Sequence, residues 1–309
     1  MRQFLQKALN RYRYLDEYGE RRNLEEFIMK SQLVHAVNNE YQLEFCRNSK
    51  YTTAGCLIWQ FNEIWPGCNW TIVDYYGKPK AGYYFYKRAA EFLHVEADYL
   101  KYTFAPGSMF KSDIYVVNDF KKRFDNVKVS ATIYSFDMKE LWTNTVDTSI
   151  PADVSVKAFP INWKVPADMK EDVFFLALSL KDEKGQTLSS NFYWFAATRT
   201  RPLRGPVYAK LDKLPVIDLK SSASLTLEGN DYVTRVNAEN PSKNIGFFVW
   251  LKQDSPEEGL ISYSDNYFFL MPGEKKTVTI RTQKQPSAKQ PARITLEGWN
   301  VNKQEIAMK

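Results

Sequence analysis

Apolar residues recur at helical spacing in the first part of the chain. Asn23 followed by Glu26 has the form of a capping box, in which a polar side chain begins a helix and an acidic one closes its first turn. Apolar positions then recur at helical spacing, at Leu24, Phe27, Ile28, Val34, Tyr41 and Phe45. The pattern predicts a helix that buries one face.

A second pattern begins at residue 55, where apolar residues continue to residue 61 without alternation. Such a run is typical of a strand in a parallel sheet that is covered on both faces. A further helix is expected after Pro79, with Tyr83, Tyr84, Tyr86 and Ala90 directed toward a core. One parallel strand with its helices cannot bury itself, so this strand requires neighbours that the segment does not supply.

Between residues 92 and 195 the period becomes alternating. One strand presents Leu93, Val95, Ala97 and Tyr99 on one side, and another presents the apolar residues of 127–133. Further strands are predicted at 113–118, 140–147, 173–181 and 187–194. About seven short strands in about a hundred residues indicate an immunoglobulin-like sandwich.

A stretch rich in proline and arginine at 198–206 has the composition of a domain boundary. Alternation resumes beyond it, and residues 271–274 (Met-Pro-Gly-Glu) form a predicted turn. The predicted strands of this second sandwich are 224–228, 232–240, 246–253, 267–270, 275–282 and 293–299. The expected domains are therefore 1–91, 92–200 and 201–309.

Composition narrows the classes of partner. The chain is 44% hydrophobic and 15% aromatic, which is ample for well-filled cores. Its 42 Lys and Arg exceed its 36 Asp and Glu by only 6, and the charges are interleaved, so neither nucleic acid nor a membrane is an expected partner. Residues 1–10 do not resemble a signal peptide and no run of about 18 apolar residues occurs, which leaves the localisation open.

The residue types also exclude several kinds of catalytic site. Only two histidines are present, His35 and His94, which argues against a Ser/His/Asp triad or a His-rich metal site, and both are assigned structural roles. Glycine-rich phosphate loops do not occur, and no cofactor is expected. Cys46, Cys56 and Cys68 lack CxxC spacing and are predicted to be free, buried thiols.

Residues 55–66 read G-x-x-x-W-Q-x-N-E-x-W-P, and residues 70–84 read W-x-x-x-D-Y-Y-G-x-P-K-A-x-Y-Y. These motifs resemble the last barrel strand and helix of β-mannosidases of glycoside hydrolase family 2. In the terminal part of the chain, Tyr-Ser-Asp-Asn-Tyr at 263–267 and Glu-Gly-Trp-Asn at 297–300 are similar to the last domain of exo-β-D-glucosaminidases and endo-β-mannosidases of that family. The resemblance covers essentially the whole chain.

This resemblance implies an α+β multidomain fold, with the terminal remnant of a TIM (β/α)8 barrel followed by two immunoglobulin-like β-sandwiches. It also implies a retaining mechanism, in which two glutamates about 5 to 5.5 Å apart act as nucleophile and acid/base. Both glutamates precede residue 1 in the alignment. The chain is therefore expected to contain no catalytic residue and to be inactive alone.

The family carries four candidate substrate-binding residues over to this sequence. Trp59 is expected beneath the sugar that is cleaved, where an indole packs on the C–H surface of the ring, or else in the barrel core. Asn62 and Glu63 occupy positions where the family usually has Asn-Asp, so Glu63 is interpreted as a supporting polar residue at the site rim. Trp65 is ranked above Trp70 as a second aromatic of the site. Asp74 is predicted to form a turn.

Several alternatives stay open on the sequence alone. The preferred function is that of the C-terminal portion of a hydrolase acting on β-linked mannosides, with an exo-β-D-glucosaminidase-type hydrolase as the alternative. A non-catalytic carbohydrate-binding module and a purely structural brace are the others, because a sandwich fold says little about function. The expected partner is a carbohydrate, and self-association through the incomplete barrel is expected for the chain alone.

Overall fold

A computed structural model describes residues 14–170, 172–254, 261–283 and 293–307. The first 13 residues of the predicted 1–91 segment, and short stretches of the predicted 201–309 domain, lie outside it. The chain forms two compact units, one of Met1–Ile58 with Phe85–Lys213 and one of Trp59–Tyr84 with Leu214–Lys309. Among the described residues, no helix has the length and apolarity needed to cross a membrane.

The first unit is built on a sandwich of two sheets. Its strands are β1 (Leu93–Asp98), β2 (Thr103–Phe104), β3 (Met109–Asn118), β4 (Phe124–Tyr134), β5 (Glu140–Ile150), β6 (Val154–Lys164), β7 (Asp172–Lys181) and β8 (Thr187–Ala197). One sheet has the order β1-β3-β6 and the other β2-β8-β7-β4-β5, antiparallel except for the β2–β8 pair. Leu93, Val95 and Ala97 are buried as predicted, but the polar positions between them, His94 and Glu96, are buried as well.

Two strands of this sandwich were absent from the sequence prediction. β2 has two residues, too few for a periodic signal. β6 contains Pro160, which argues against a strand in a sequence pattern. The proline is tolerated because β6 lies at the edge of its sheet. On its outer side none of the described strands pairs with β6, so the missing N–H costs no hydrogen bond there.

The second unit contains the second sandwich. Its strands are β9 (Lys220–Glu228), β10 (Asp231–Glu239), β11 (Gly246–Asp254), β12 (Ile261–Tyr263), β13 (Phe268–Leu270), β14 (Lys275–Gln283), β15 (Arg293–Gly298) and β16 (Val301–Ile306). They form sheets of order β12-β14-β10-β9 and β13-β11-β15-β16. The predicted turn at 271–274 is confirmed: the Glu274 N–H donates to the Met271 carbonyl at 3.0 Å, and Gly273 adopts a φ of +77°.

Helix α1 (Leu24–Asn48) begins where the capping box predicted. The Asn23 side chain accepts a hydrogen bond from the Glu26 N–H at 2.9 Å, and the Glu26 carboxylate accepts one from the Arg22 N–H at 3.1 Å. The cap thus satisfies N–H groups that have no partner within the helix.

The predicted buried face of α1 is only partly right. Val34 is buried and Tyr41 half-buried, but Leu24, Phe27, Ile28 and Phe45 are exposed. The buried side comprises Lys30, Leu33, Val34, Ala36, Glu40, Leu43 and Glu44. This face packs on β1, β3 and β6. Lys30 is paired with the Tyr18 and Glu20 carbonyls and Asp212, and Glu44 with His94, Asn191 and Tyr193, contacts that a count of apolar positions does not register.

The predicted strand at 55–61 is wrong for this structure. The segment has no regular secondary structure, and Leu57, Trp59 and Phe61 are 97%, 73% and 55% exposed. An apolar strand forms only where neighbours accept its backbone hydrogen bonds. Exposure of this segment, which the sequence predicted for the chain alone, is confirmed.

The second helix, α2 (Ala81–Ala89), forms after Pro79 as predicted. Tyr84 is buried, while Tyr83 and Tyr86 are half-buried. Ala90 lies beyond the helix and is exposed, and Phe85 and Ala89 take the buried positions instead. The inward direction of this helix was therefore predicted to within one residue at its end.

Candidate functional site

The residues after the exposed segment fold into a closed loop. The Phe61 carbonyl accepts hydrogen bonds from the N–H groups of Ile72 at 3.2 Å and Val73 at 2.9 Å. At the far end, the Lys80 N–H donates to the Ile72 carbonyl at 2.9 Å. We call residues 61–80 the clipped loop.

Asp74 turns the chain within the clipped loop. Its carboxylate accepts hydrogen bonds from the N–H groups of Tyr76 at 2.9 Å and Lys78 at 2.8 Å. Its own N–H donates to the Lys78 carbonyl at 3.0 Å. The predicted turn-forming role of Asp74 is confirmed.

Glu63 is the buried anchor of the clipped loop. Its side chain is 1% exposed, forms a close ion pair with the Lys80 ammonium group, and accepts a hydrogen bond from the Thr71 hydroxyl at 2.7 Å. Burial raises the pKa of Glu63, but the hydrogen bonds from Lys80 and Thr71 and the Lys80 charge outweigh it, so the pKa lies below its usual value. Glu63 is therefore an ionised group that holds two ends of the loop together.

The other three predicted site residues face solvent. Trp59 is 73% and Trp65 60% exposed, and the peptide bond after Trp59 is cis. The Asn62 side chain is exposed and donates only a long hydrogen bond, 3.3 Å, to the Glu63 carbonyl. Trp70 is half-buried. Residues 59–65 thus present two indoles and one amide outward, next to the buried carboxylate of Glu63.

The second sandwich supports this loop. Ile72 is buried, and the buried Tyr84 ring packs 5.9 Å from the ring of Tyr267. Tyr267 in turn stacks on Trp250 at 6.0 Å and lies 5.3 Å from Phe248. The aromatic residues of the sandwich thus pack against α2, the helix that directly follows the clipped loop.

The three cysteines are free thiols, as predicted. Their predicted burial is not observed, since Cys68 is exposed and Cys46 and Cys56 are half-buried. Burial and a hydrogen bond with Cys46 raise the pKa of the Cys56 thiol. None of these features makes a nucleophile, which requires a lowered thiol pKa.

A buried polar cluster was missed by the sequence analysis. Glu44 of α1 lies beside His94 and Glu96 of β1, and all three are at most 3% exposed. The polar positions of β1 were expected in water, but α1 covers that face of the strand. The sequence contained a signal for this cluster: two glutamates one turn apart on the helix, Glu40 and Glu44, and two alternating polar residues on the strand, His94 and Glu96.

The pKa values of the three residues in this cluster are strongly shifted. Burial raises the pKa of Glu44 to about 8, and burial together with the Glu44 charge raises the pKa of Glu96 well above its usual value. Burial and the Arg47 charge lower the pKa of His94 to about 3. Near neutral pH the imidazole is therefore neutral.

Known proteins resemble this chain over most of its length. Residues 197–301 match the profile of the exo-β-D-glucosaminidase Ig-fold domain, and residues 111–199 that of the mannosidase Ig/CBM-like domain. An exo-β-D-glucosaminidase of Arthroderma benhamiae is 27% identical, over 98% of this chain and 34% of that protein. A mannosylglycoprotein endo-β-mannosidase of Lilium longiflorum is 24% identical, over 94% of this chain and 35% of that protein.

Solved structures share the same fold. The exo-chitosanase CsxA of Amycolatopsis orientalis superposes with a TM-score of 0.77 at 22% identity, over 94% of this chain and 36% of that one. A β-D-mannosidase of Dictyoglomus thermophilum is 26% identical with a TM-score of 0.69, over 94% of this chain and 31% of that one. This chain spans about a third of the length of the relatives it matches. The resemblance to family 2 glycoside hydrolases and the two immunoglobulin-like sandwiches are confirmed.

Proposed function

We propose that this chain, whose relatives are family 2 glycoside hydrolases of the glucosaminidase and mannosidase groups, is the C-terminal portion of a retaining hydrolase that cleaves β-linked mannosides. The exposed apolar segment carries the proposal. Leu57, Trp59 and Phe61 face solvent in a chain that spans about a third of its relatives. In the complete enzyme, residues 55–61 form the last strand of a TIM barrel, and the missing strands cover them.

In this proposal the site residues keep the roles that the resemblance gave them. Trp59 packs against the sugar ring and Trp65 extends the aromatic surface of the loop. Asn62 supplies an amide to a sugar hydroxyl. Glu63 acts through its ion pair with Lys80, which holds the clipped loop at the mouth of the barrel. Barrel active sites form at the carboxyl ends of the strands, where this loop follows residue 61.

The catalytic carboxylates lie outside this chain. A general acid in a retaining glycosidase needs a raised pKa. The pKa of Glu63 is lowered, and its ionised form is committed to Lys80 and Thr71. Glu63 is therefore a positioning residue.

A second candidate, hydrolysis of β-D-glucosaminides, is favoured by a separate observation. The terminal sandwich matches the exo-β-D-glucosaminidase Ig-fold domain, and the Arthroderma benhamiae relative carries that name. The groups that read the substituent at the sugar C2 lie in the missing portion. The choice between the two sugars therefore requires the complete enzyme.

Two observations test the proposal. The genomic sequence directly before Met1 is expected to encode, in frame, a barrel with a glutamate at the end of its seventh strand. The joined polypeptide is then expected to release p-nitrophenol from the β-D-mannoside faster than from the β-D-glucosaminide, and the reverse order selects the second candidate.

Titration calorimetry of the chain alone with mannan and chitosan oligosaccharides separates the remaining alternatives. The proposal expects no saturable heat, because the sugar site is incomplete. Saturable binding that Trp59→Ala removes, with no barrel encoded upstream, identifies a carbohydrate-binding module instead.

A further inference from the structure

The buried cluster between α1 and β1 has the composition of a metal site. Glu44, His94 and Glu96 each offer one coordinating atom, and these atoms lie within 4.8 Å of one another. We propose that Glu44, His94 and Glu96 bind one divalent transition-metal ion, with Zn²⁺ as the best fit. The proposal is independent of the sugar site.

The lack of hydrogen-bond donors around Glu96 is the second observation. Among the described residues, neither oxygen of its carboxylate has a hydrogen-bond partner, although the residue is 1% exposed. Within the described part of the chain the Nδ1 atom of His94 is also buried without a partner, but it carries the ring proton when Nε2 binds a metal, so the argument rests on the two Glu96 oxygens. Buried acceptors left without a donor are unfavourable, and a cation beside them removes that penalty.

The donor set fits a metal of intermediate softness. One imidazole and two carboxylates are common ligands of Zn²⁺, and their two negative charges balance the charge of the ion. His94 binds a metal only as the neutral imidazole. Its Nε2 atom lies 2.9 Å from a Glu44 oxygen, so at least two ligands already converge.

Neighbouring side chains hold Glu44 in place, as outer-shell groups do in metal sites. The Asn191 amide donates to the Glu44 carboxylate at 2.6 Å, and the Tyr193 hydroxyl donates to it at 3.0 Å. Tyr193 is itself fixed because its oxygen accepts from the Ala97 N–H at 3.1 Å. Glu44 is therefore oriented before any ion arrives.

The nearby positive charge does not prevent cation binding. Arg47 affects the acidity of the cluster, but its guanidinium forms an ion pair with Asp119 at 2.8 Å and donates to the Glu91 carbonyl at 2.7 Å. Glu40, one helical turn before Glu44, adds a further buried acidic group. Arg88 acts on His94 and Glu40 as well, and the raised pKa values of Glu44 and Glu96 mean that their protons must leave when a cation binds.

A cavity of about 190 Å³ adjoins the cluster. Its wall includes Glu40 and Tyr193, and the Tyr193 hydroxyl touches the Glu44 carboxylate. None of the three proposed ligands is among the residues that line this cavity, and all three are at most 3% exposed, so an ion reaches them only when neighbouring side chains such as Tyr193 move.

Titration calorimetry of the metal-stripped full chain with ZnCl₂ tests the proposal. The half-buried thiols Cys46 and Cys56 are a competing zinc site, so the titration uses a background in which both are serine. We expect saturable binding of one Zn²⁺ per chain, and MgCl₂ is expected to produce no saturable heat. Glu96→Gln is expected to weaken zinc binding at least tenfold, while the matched change of an exposed glutamate, Glu183→Gln, leaves it unchanged.

A second measurement keeps the test decisive if Glu96→Gln fails to fold. Elemental analysis of the chain with serine at positions 46 and 56, after gel filtration from excess zinc, is expected to give close to one zinc per chain, and CoCl₂ is expected to give a visible absorption band. The proposal is overturned if no zinc is retained, or if a folded Glu96→Gln binds zinc as tightly as the parent. It is equally overturned if the two serine substitutions abolish binding.

Discussion

The helix Leu24–Asn48 buries charged side chains, whereas the segment 57–65 exposes apolar ones. Both differ from the usual pattern, in which charged residues face water and apolar residues are buried. The helix buries Lys30, Glu40 and Glu44, while the segment exposes Leu57 and Trp59. Lys30 donates to two backbone carbonyls and to Asp212, and Glu44 receives hydrogen bonds from Asn191 and Tyr193. The charged groups of the helix are paired within the chain, whereas the apolar side chains of the segment are exposed among the described residues.

The largest effect on stability is expected at the buried ion pair between Glu63 and Lys80. Lys80→Met leaves the Glu63 carboxylate buried and unpaired, which should lower the free energy of unfolding by about 3 kcal/mol. Urea denaturation, monitored by tryptophan fluorescence, measures the free energy of unfolding of the parent and of each variant. Lys78→Met, at an exposed side chain of the same loop, is the control. Equal effects of the two changes would mean that Glu63 does not anchor the loop.

The buried acids predict a loss of stability as the pH rises. The pKa of Glu44 is about 8 in the folded chain and about 4.3 when unfolded, so the folded state binds more protons between these values. His94, with a pKa of about 3, is neutral in both states above about pH 6.5 and does not oppose the trend. The free energy of unfolding in EDTA should therefore fall by about 1.4 kcal/mol per pH unit for this group between pH 6.5 and 8.

Glu44→Gln separates this contribution from those of the other buried acids. Urea denaturation at several pH values should show a slope that is smaller by about one proton in the variant. An unchanged slope would show that Glu44 is ionised in the folded chain at pH 6.5.

A smaller effect is expected at the start of the helix. Asn23→Ala removes the acceptor of the Glu26 N–H and should reduce the free energy of unfolding by about 1 kcal/mol. Asn23→Ser, which keeps a capping oxygen, should lose much less. If both variants were as stable as the parent in thermal denaturation, the cap would contribute nothing to the fold.

The smallest effect on stability is expected in the exposed segment. Leu57 is 97% exposed, so Leu57→Ser should change the free energy of unfolding by less than about 0.5 kcal/mol. The same change should lower the average mass in light scattering, because an exposed apolar surface promotes self-association. A parent chain that is already a monodisperse monomer would contradict this expectation.

The sandwiches were predictable because alternation reports one buried face. The residues of β4 show this, since Val127, Val129, Ala131 and Ile133 alternate and are all buried. β1 shows the limit, since His94 and Glu96 occupy the polar positions of the same pattern and are buried by α1. Alternation within one strand carries no information about a helix from another part of the chain.

The candidate site was predictable in part for a related reason. The turn at Asp74 is local, so its side chain and backbone were enough to predict it. The burial of Glu63 depends on Lys80, seventeen positions later, and the pairing of the two could not be read from spacing. The strand prediction at 55–61 failed because a strand forms only beside another strand, and none of the described strands pairs with this segment.

Hydrolysis by the folded chain alone is the most direct measurement of the central claim that the sugar-facing loop is present without the catalytic carboxylates. The chain, shown to be folded by its cooperative thermal denaturation, is incubated at high concentration with p-nitrophenyl β-D-mannoside and p-nitrophenyl β-D-glucosaminide. Release of p-nitrophenol is expected to equal that of buffer. Release above buffer that Glu63→Gln abolishes would contradict the account and make Glu63 a catalytic residue.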